Sequence, residues 1–150
     1  MTLPRVAACL GLLCSVVACG GDETPRDVEV TLGTARVSAR MEPADGLVDL
    51  EATAQMVATV DMTGVTVEDV VLRALPDGPE ISFDVAVRGP RDTATIDLTA
   101  EDTVVARISN AATTNAQVLP FCGSAASLTV FIEVEGLMRE ATRDLTVTCS

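Results

Sequence analysis

The sequence predicts an all-β domain, an antiparallel β-sandwich for which an immunoglobulin-like topology is the leading arrangement. Three observations predict it. From Val28 onward, apolar residues recur at every second position in run after run, the period of a half-buried strand. Clusters rich in Pro, Gly and Asp separate some of these runs, as in EPADG at 42–46 and PDGPE at 76–80; Pro presets one turn dihedral and Gly supplies the positive one. The polar sides of the runs are charged at Asp49, Glu51, Asp84, Arg88, Asp97 and Glu133, so that side meets water. A membrane β-barrel alternates too, but it needs aromatic girdles, and three Phe with no Trp or Tyr cannot build them.

The runs follow one another along the chain. Val28-Glu29-Val30-Thr31-Leu32 places its apolar residues at even numbers, whereas Val37-Ser38-Ala39-Arg40-Met41 places them at odd numbers. A bulge or short break at Gly33-Thr34 accounts for the switch. Val48 to Val60 is the longest alternation, one long strand or two in succession. VEDVVLRAL, within 65–75, reads equally as a strand or as a turn or two of helix. Ile81, Phe83, Val85 and Val87 form the next run, Gly89-Pro90 turns the chain, and Ala94, Ile96 and Leu98 resume the pattern; these two runs are expected to pair as a hairpin. Val104 to Ile108, Leu128 to Val134 and Leu145 to Cys149 complete the set. Roughly eight or nine short strands joined by turns make a sandwich.

The first eighteen residues stand apart from this pattern. Arg5 precedes an uncharged stretch from Val6 to Ala18, too short to span a bilayer but suited to the apolar region of a secretory signal. It ends in Val16-Val17-Ala18-Cys19, which resembles the lipobox of bacterial lipoproteins, where a signal peptidase cuts before a cysteine that carries the lipid. Cys9 would leave too short an apolar region before the cut, and Cys14 follows the bulky Leu13. The division expected is therefore a signal at 1–18, lipidated Cys19 and a flexible tether at 19–27, and a domain at 28–150. The resemblance implies two or three acyl chains on Cys19, a stable anchor by itself. With Gly rather than Asp at position 20, it further implies export to the outer membrane, facing the periplasm or the cell surface.

Once those cysteines are assigned, Cys122 and Cys149 are left. An even remainder in an exported chain favours a disulfide between them, with free thiols or an intermolecular bond as the alternatives. Cys149 shares the parity of Leu145 and Val147, so its sulfur should face the core.

Charge and composition narrow the function. The chain carries 22 acidic residues against ten arginines and no lysine, a formal net charge of -12 that becomes -13 when Arg5 leaves with the signal. Such a surface repels phosphate backbones, which argues against nucleic acid as a partner. Histidine is absent, and with it serine triads, cysteine–histidine dyads and histidine-bearing zinc sites. Carboxylate chemistry through Glu68-Asp69 or Glu101-Asp102 is the remaining catalytic route. Asp92, Asp97, Glu101 and Asp102 are acids near strand ends, without the spacing of a calcium loop. The expectation is a lipid-anchored, non-catalytic module that binds an envelope protein or serves a structural role, without cofactor or metal; the alternative is a carboxylate-dependent envelope hydrolase. Phe131, at the outward parity of its run, and Leu137 and Met138, in a connection expected over 135–143, are the candidate partner contacts.

Overall fold

Among the described residues, ten strands stack as two sheets around one apolar core. A computed structural model describes residues 24–41, 46–112 and 114–150. The signal, Cys19, the first part of the tether and most of the 42–46 turn lie outside the described residues. The strands are β1 (Val28–Arg40), β2 (Leu47–Ala58), β3 (Thr66–Ala74), β4 (Glu80–Ser82), β5 (Val85–Arg88), β6 (Thr103–Asn110), β7 (Thr114–Asn115), β8 (Ala125–Val134), β9 (Leu137–Thr146) and β10 (Thr148–Cys149).

One sheet runs in the order β10-β1-β2-β6-β5, with β7 also paired to β2, and the other runs β4-β3-β8-β9. The strand pairs are antiparallel apart from β1 with β10, so the molecule is an all-β, antiparallel sandwich. Leu50, Ala54 and Met56 of β2 join Leu72 of β3 and Leu128 and Ile132 of β8 in one buried cluster. No polar or charged side chain is buried among the described residues, as expected where strands alternate cleanly between core and water.

Two bulges explain where the alternation changes phase. In β1 the pairing with β2 shifts between Leu32 and Ala35, and the buried positions move from Val28 to Val37 and Ala39. In β3 the pairing with β8 shifts between Val67 and Asp69; Val65 is buried before it and Val70, Leu72 and Ala74 after it. The ambiguous 65–75 run is therefore a strand whose extra residue hides its period of two.

The expected hairpin over 81–98 does not form. Ile81 lies in β4 and pairs with β3, whereas Val85–Arg88 pairs with β6 in the other sheet. Buried Phe83 and the adjacent Asp84 carry the chain across: the Phe83 N–H donates to Val70 O and Asp84 O accepts from the Ala111 N–H. After Gly89, Arg91 and Asp92 take positive φ, which opens a wide loop in place of a hairpin turn. Ile96 and Leu98 are buried, but as a segment that plugs the sandwich end, where Leu98 exchanges backbone hydrogen bonds with Met62 at 2.8 and 2.9 Å. Alternation identified Ile81, Phe83, Ile96 and Leu98 as buried, but Val85 and Val87 are half-buried, Ala94 is exposed, and the two runs do not pair with each other.

The connection expected over 135–143 is also corrected. β8 turns into β9 through Glu135-Gly136 alone, both at positive φ. β9 escaped notice because the positions facing inward read Leu137, Arg139, Ala141, Arg143 and Leu145, with two arginines interrupting the apolar series. It is an edge strand, where inward-pointing charge discourages pairing with another chain. Both arginines turn toward the β1 side: Arg139 Nε donates to Asp27 Oδ1, just before β1, at 3.1 Å, and Arg143 Nη1 to Leu32 O in β1 at 3.3 Å. The final run divides at Val147, which carries the chain from β9 to β10 in the opposite sheet.

The two ends of the sandwich are fastened differently. At the end where β1 begins, Arg26 pairs with Glu135, and Thr59 Oγ1 donates to Pro25 O at 2.6 Å. The last residues of the expected tether are thus laid against the domain. At the other end Cys122 and Cys149 form a disulfide, Cα atoms 5.5 Å apart, which links the approach to β8 with β10 and so ties the two sheets together. Both cysteines pack against the core.

Candidate functional site: an arginine-lined groove

The outer face of the larger sheet is hollowed where β1, β2, β6 and β5 lie side by side. The bulge in β1 begins the hollow. Gly33 approaches β2 so closely that a Cβ there would come within 2.6 Å of Thr53 Oγ1, and the Thr34 N–H donates to that hydroxyl at 2.9 Å. A side chain at position 33 would therefore clash. The groove, about 790 Å³, is lined by Thr34, Thr53 and Ser109 hydroxyls and by Arg36, Arg88, Arg107 and Arg143.

Register sets this arrangement. Across one row Arg36 of β1 faces Glu51 of β2, and Glu51 faces Ser109 of β6. In the next, Thr53 faces Arg107, and Arg107 faces Arg88 of β5. Arg143 joins from the opposite sheet, over the edge of β1. Arg88 and Arg107 are therefore like charges directly opposite on one face, a pairing that costs a few tenths to about 1 kcal/mol. Asp92, held by the positive-φ turn after β5, accepts from Arg107 Nη2 at 3.1 Å. Arg36 and Arg88 have no ion pair within 4.0 Å among the described residues.

The candidate contacts divide between two environments. Phe131 is half-buried on the outer face of the smaller sheet, facing Asp69 on one side and Glu140 on the other, and it lines a smaller hollow of about 370 Å³. Met138, 51% exposed, faces Glu133 on the same surface. Leu137 points the other way and packs against the core. Phe131 and Met138 are thus brought to one face, and Leu137 is not.

The acids flagged in the sequence are dispersed. Glu68 is the extra residue of the β3 bulge and accepts from Thr66 Oγ1 at 2.8 Å. Glu101 stands at positive φ before β6, in the region of the other sheet. Asp97 accepts from the Gly64 N–H at 3.2 Å. Among the described residues no three His, Cys, Asp or Glu side chains gather that could hold a metal ion. Asp27 has its carboxyl held below the ordinary range, first by the Arg139 hydrogen bond and then by the Val28 N–H.

The groove arginines were missed because each is, in one dimension, merely a charge on the polar side of a strand. The available signal was the position of Arg36, Arg88 and Arg107 at outward parity in a chain with few cations; register was needed to bring them together.

No family model matches the chain, and no curated protein matches it. Among solved structures, it is similar to a family 123 glycoside hydrolase from Clostridium perfringens, at 9% identity and a TM-score of 0.48. The likeness covers 83% of this chain and 27% of that protein, so the chain spans about a quarter of the hydrolase's length. It is too slight to carry fold or activity across.

Proposed function

We propose that this chain is an exported lipoprotein, anchored through Cys19, whose β-sandwich is a non-catalytic module that binds an envelope protein. The observation that carries the reading is the Val16-Val17-Ala18-Cys19 pattern closing an uncharged run and followed by a short polar stretch before β1. An immunoglobulin-like module suits that role, and the strand order supports it: β1-β2-β6-β5 against β4-β3-β8-β9 parallels the ABED and CFG sheets of that topology, with β4 as an added strand beside C. The absence of His, Lys and Tyr supports binding over catalysis, since those residues supply most general bases and amine nucleophiles.

Expression of Cys19→Ser in a host that processes lipoproteins tests the anchor. The wild-type chain partitions into the detergent phase with a mass increase of acyl chains, and the variant becomes soluble or stays unprocessed. A variant with unchanged partitioning and mass would refute the assignment. The hydrolase alternative is tested by incubation with peptidoglycan, glycan, ester and peptide panels; turnover lost in a folded Glu68→Gln or Glu101→Gln variant would replace the binding reading.

A further inference from the structure

We infer that the groove across β1, β2, β6 and β5 is a binding site for an acidic peptide segment of a partner protein. The inference gives the binding-module reading its partner chemistry and rests on that reading for the choice of a protein partner. The charge geometry stands whether or not Cys19 carries lipid.

The first argument is charge placement. In a chain of net charge -12, four of ten arginines line one groove, and the acids lining it are Glu51 and Asp92. The groove is a local cationic surface on an acidic protein. Arg88 and Arg107 face each other across the β5–β6 ladder, and Asp92 engages only Arg107 of the two. A carboxylate seated beside Arg88 would relieve the repulsion between them. Guanidinium forks match carboxylates with two parallel hydrogen bonds, which gives direction as well as attraction.

The second argument is span. Four adjacent strands place β1 and β5 about 14 Å apart at the usual interstrand spacing. An extended peptide advances about 3.3 Å per residue, so acidic side chains four residues apart on one side reach about 13 Å. One such segment laid across the strands meets Arg36 at one rim and Arg88 with Arg107 at the other.

The third argument is the mixture of polar groups. Glu51 and Asp92 sit among the cations, and the floor carries hydroxyls. A polyphosphate supplies acceptors alone and meets both carboxylates as like charges. A peptide supplies carboxylates for the arginines and backbone N–H donors for Glu51 and Asp92. A sugar chain would lack aromatic faces to stack on, since the lining contains none.

The test is fluorescence polarisation with the purified full chain in nonionic detergent and a fluorescein-labelled twelve-residue peptide alternating Glu with Ser. At low ionic strength the peptide binds saturably, and the affinity falls as salt screens the groove. Arg88→Gln/Arg107→Gln weakens binding by about tenfold or more, the equivalent of roughly 1.4 kcal/mol, and Arg36→Gln weakens it to a smaller degree. Arg73→Gln, on the opposite sheet, leaves it unchanged, and circular dichroism confirms that each variant is folded. Absence of saturable binding overturns the inference, as does equal binding by the double variant. Preference for polyphosphate or phosphatidylglycerol vesicles over the peptide overturns it too. Cys19→Ser separates the two readings: unchanged partitioning and mass in that variant, with peptide binding retained, refutes the lipid assignment alone, and absent peptide binding by a wild-type chain whose anchoring is lost in Cys19→Ser refutes the groove alone.

Discussion

The two outer faces of the sandwich are built by the same alternation over the same core, yet they show water different chemistry. On the smaller sheet the outward rows are Asp69, Phe131 and Glu140, then Val71, Thr129 and Thr142, then Arg73, Ser127 and Asp144. No like charges stand directly opposite in these rows, and Thr129 and Thr142 share a hydrogen bond across the ladder at 2.9 Å. On the larger sheet Arg88 and Arg107 stand opposite each other, with Arg36 and Arg143 around the same hollow. Inward positions answer to packing, whereas outward positions leave stability nearly indifferent. A face that accepts like-charge pairing where its counterpart avoids it marks where function has displaced local stability.

Breaking the common core should hurt both faces alike. Leu50→Ala, in β2 of the grooved sheet, and Leu128→Ala, in β8 of the Phe131 sheet, each remove a side chain 1% or less exposed. Each should cost about 2–5 kcal/mol, read as one cooperative urea transition. Two separated transitions would show that the sheets do not share a core. Next in size is the disulfide, which ties the sheets across a sequence separation of 27 residues. Cys122→Ser with Cys149→Ser should cost roughly 3–4 kcal/mol in the chain-entropy account, and thermal unfolding under non-reducing conditions measures it.

The faces themselves should then respond with opposite signs. Phe131→Ala removes a half-buried ring from the outer face and should lower stability by up to about 1 kcal/mol. Arg88→Thr relieves the repulsion with Arg107 and should raise it by a few tenths of a kcal/mol, an advantage that fades at roughly 1 M salt. Destabilisation by Arg88→Thr at low salt would mean that the groove arginines are structural.

The smallest effect is expected where β1 and β9 meet, at the Asp27–Arg139 pair. The folded pKa of Asp27 is depressed, so its contribution is present above the ordinary Asp value of roughly 4 and is lost as pH falls through the folded value. The melting-temperature difference between wild type and Asp27→Asn should therefore shrink as pH is lowered from 6 toward roughly 2. A difference that stays constant over that range would dissociate the pair from the titration.

How much of this was legible in the sequence depended on whether a strand keeps its period. β8 alternates without interruption from Ala126 to Val134, all buried at even numbers, and it was read directly. β3 carries a bulge at Glu68, which leaves its sequence open to two readings; β9 carries Arg139 and Arg143 at inward positions, which gives it the sequence of a connection. Ile96 and Leu98 mimic a strand because a loop that plugs a sandwich end also buries alternate residues. The Cys122 and Cys149 pairing was accessible from parity and count. The groove was not, because Arg36, Arg88, Arg107 and Arg143 come from four strands and two sheets, and only register joins them.

The difference between the faces is tested most directly by amide chemical-shift mapping as the Glu–Ser peptide is titrated into the isotope-labelled chain. The account predicts perturbations confined to the groove strands, centred on Arg36, Thr53, Arg107 and Arg88, with the outward rows around Phe131 unmoved. Perturbations centred on Phe131 and Met138, or spread evenly over both sheets, would contradict it.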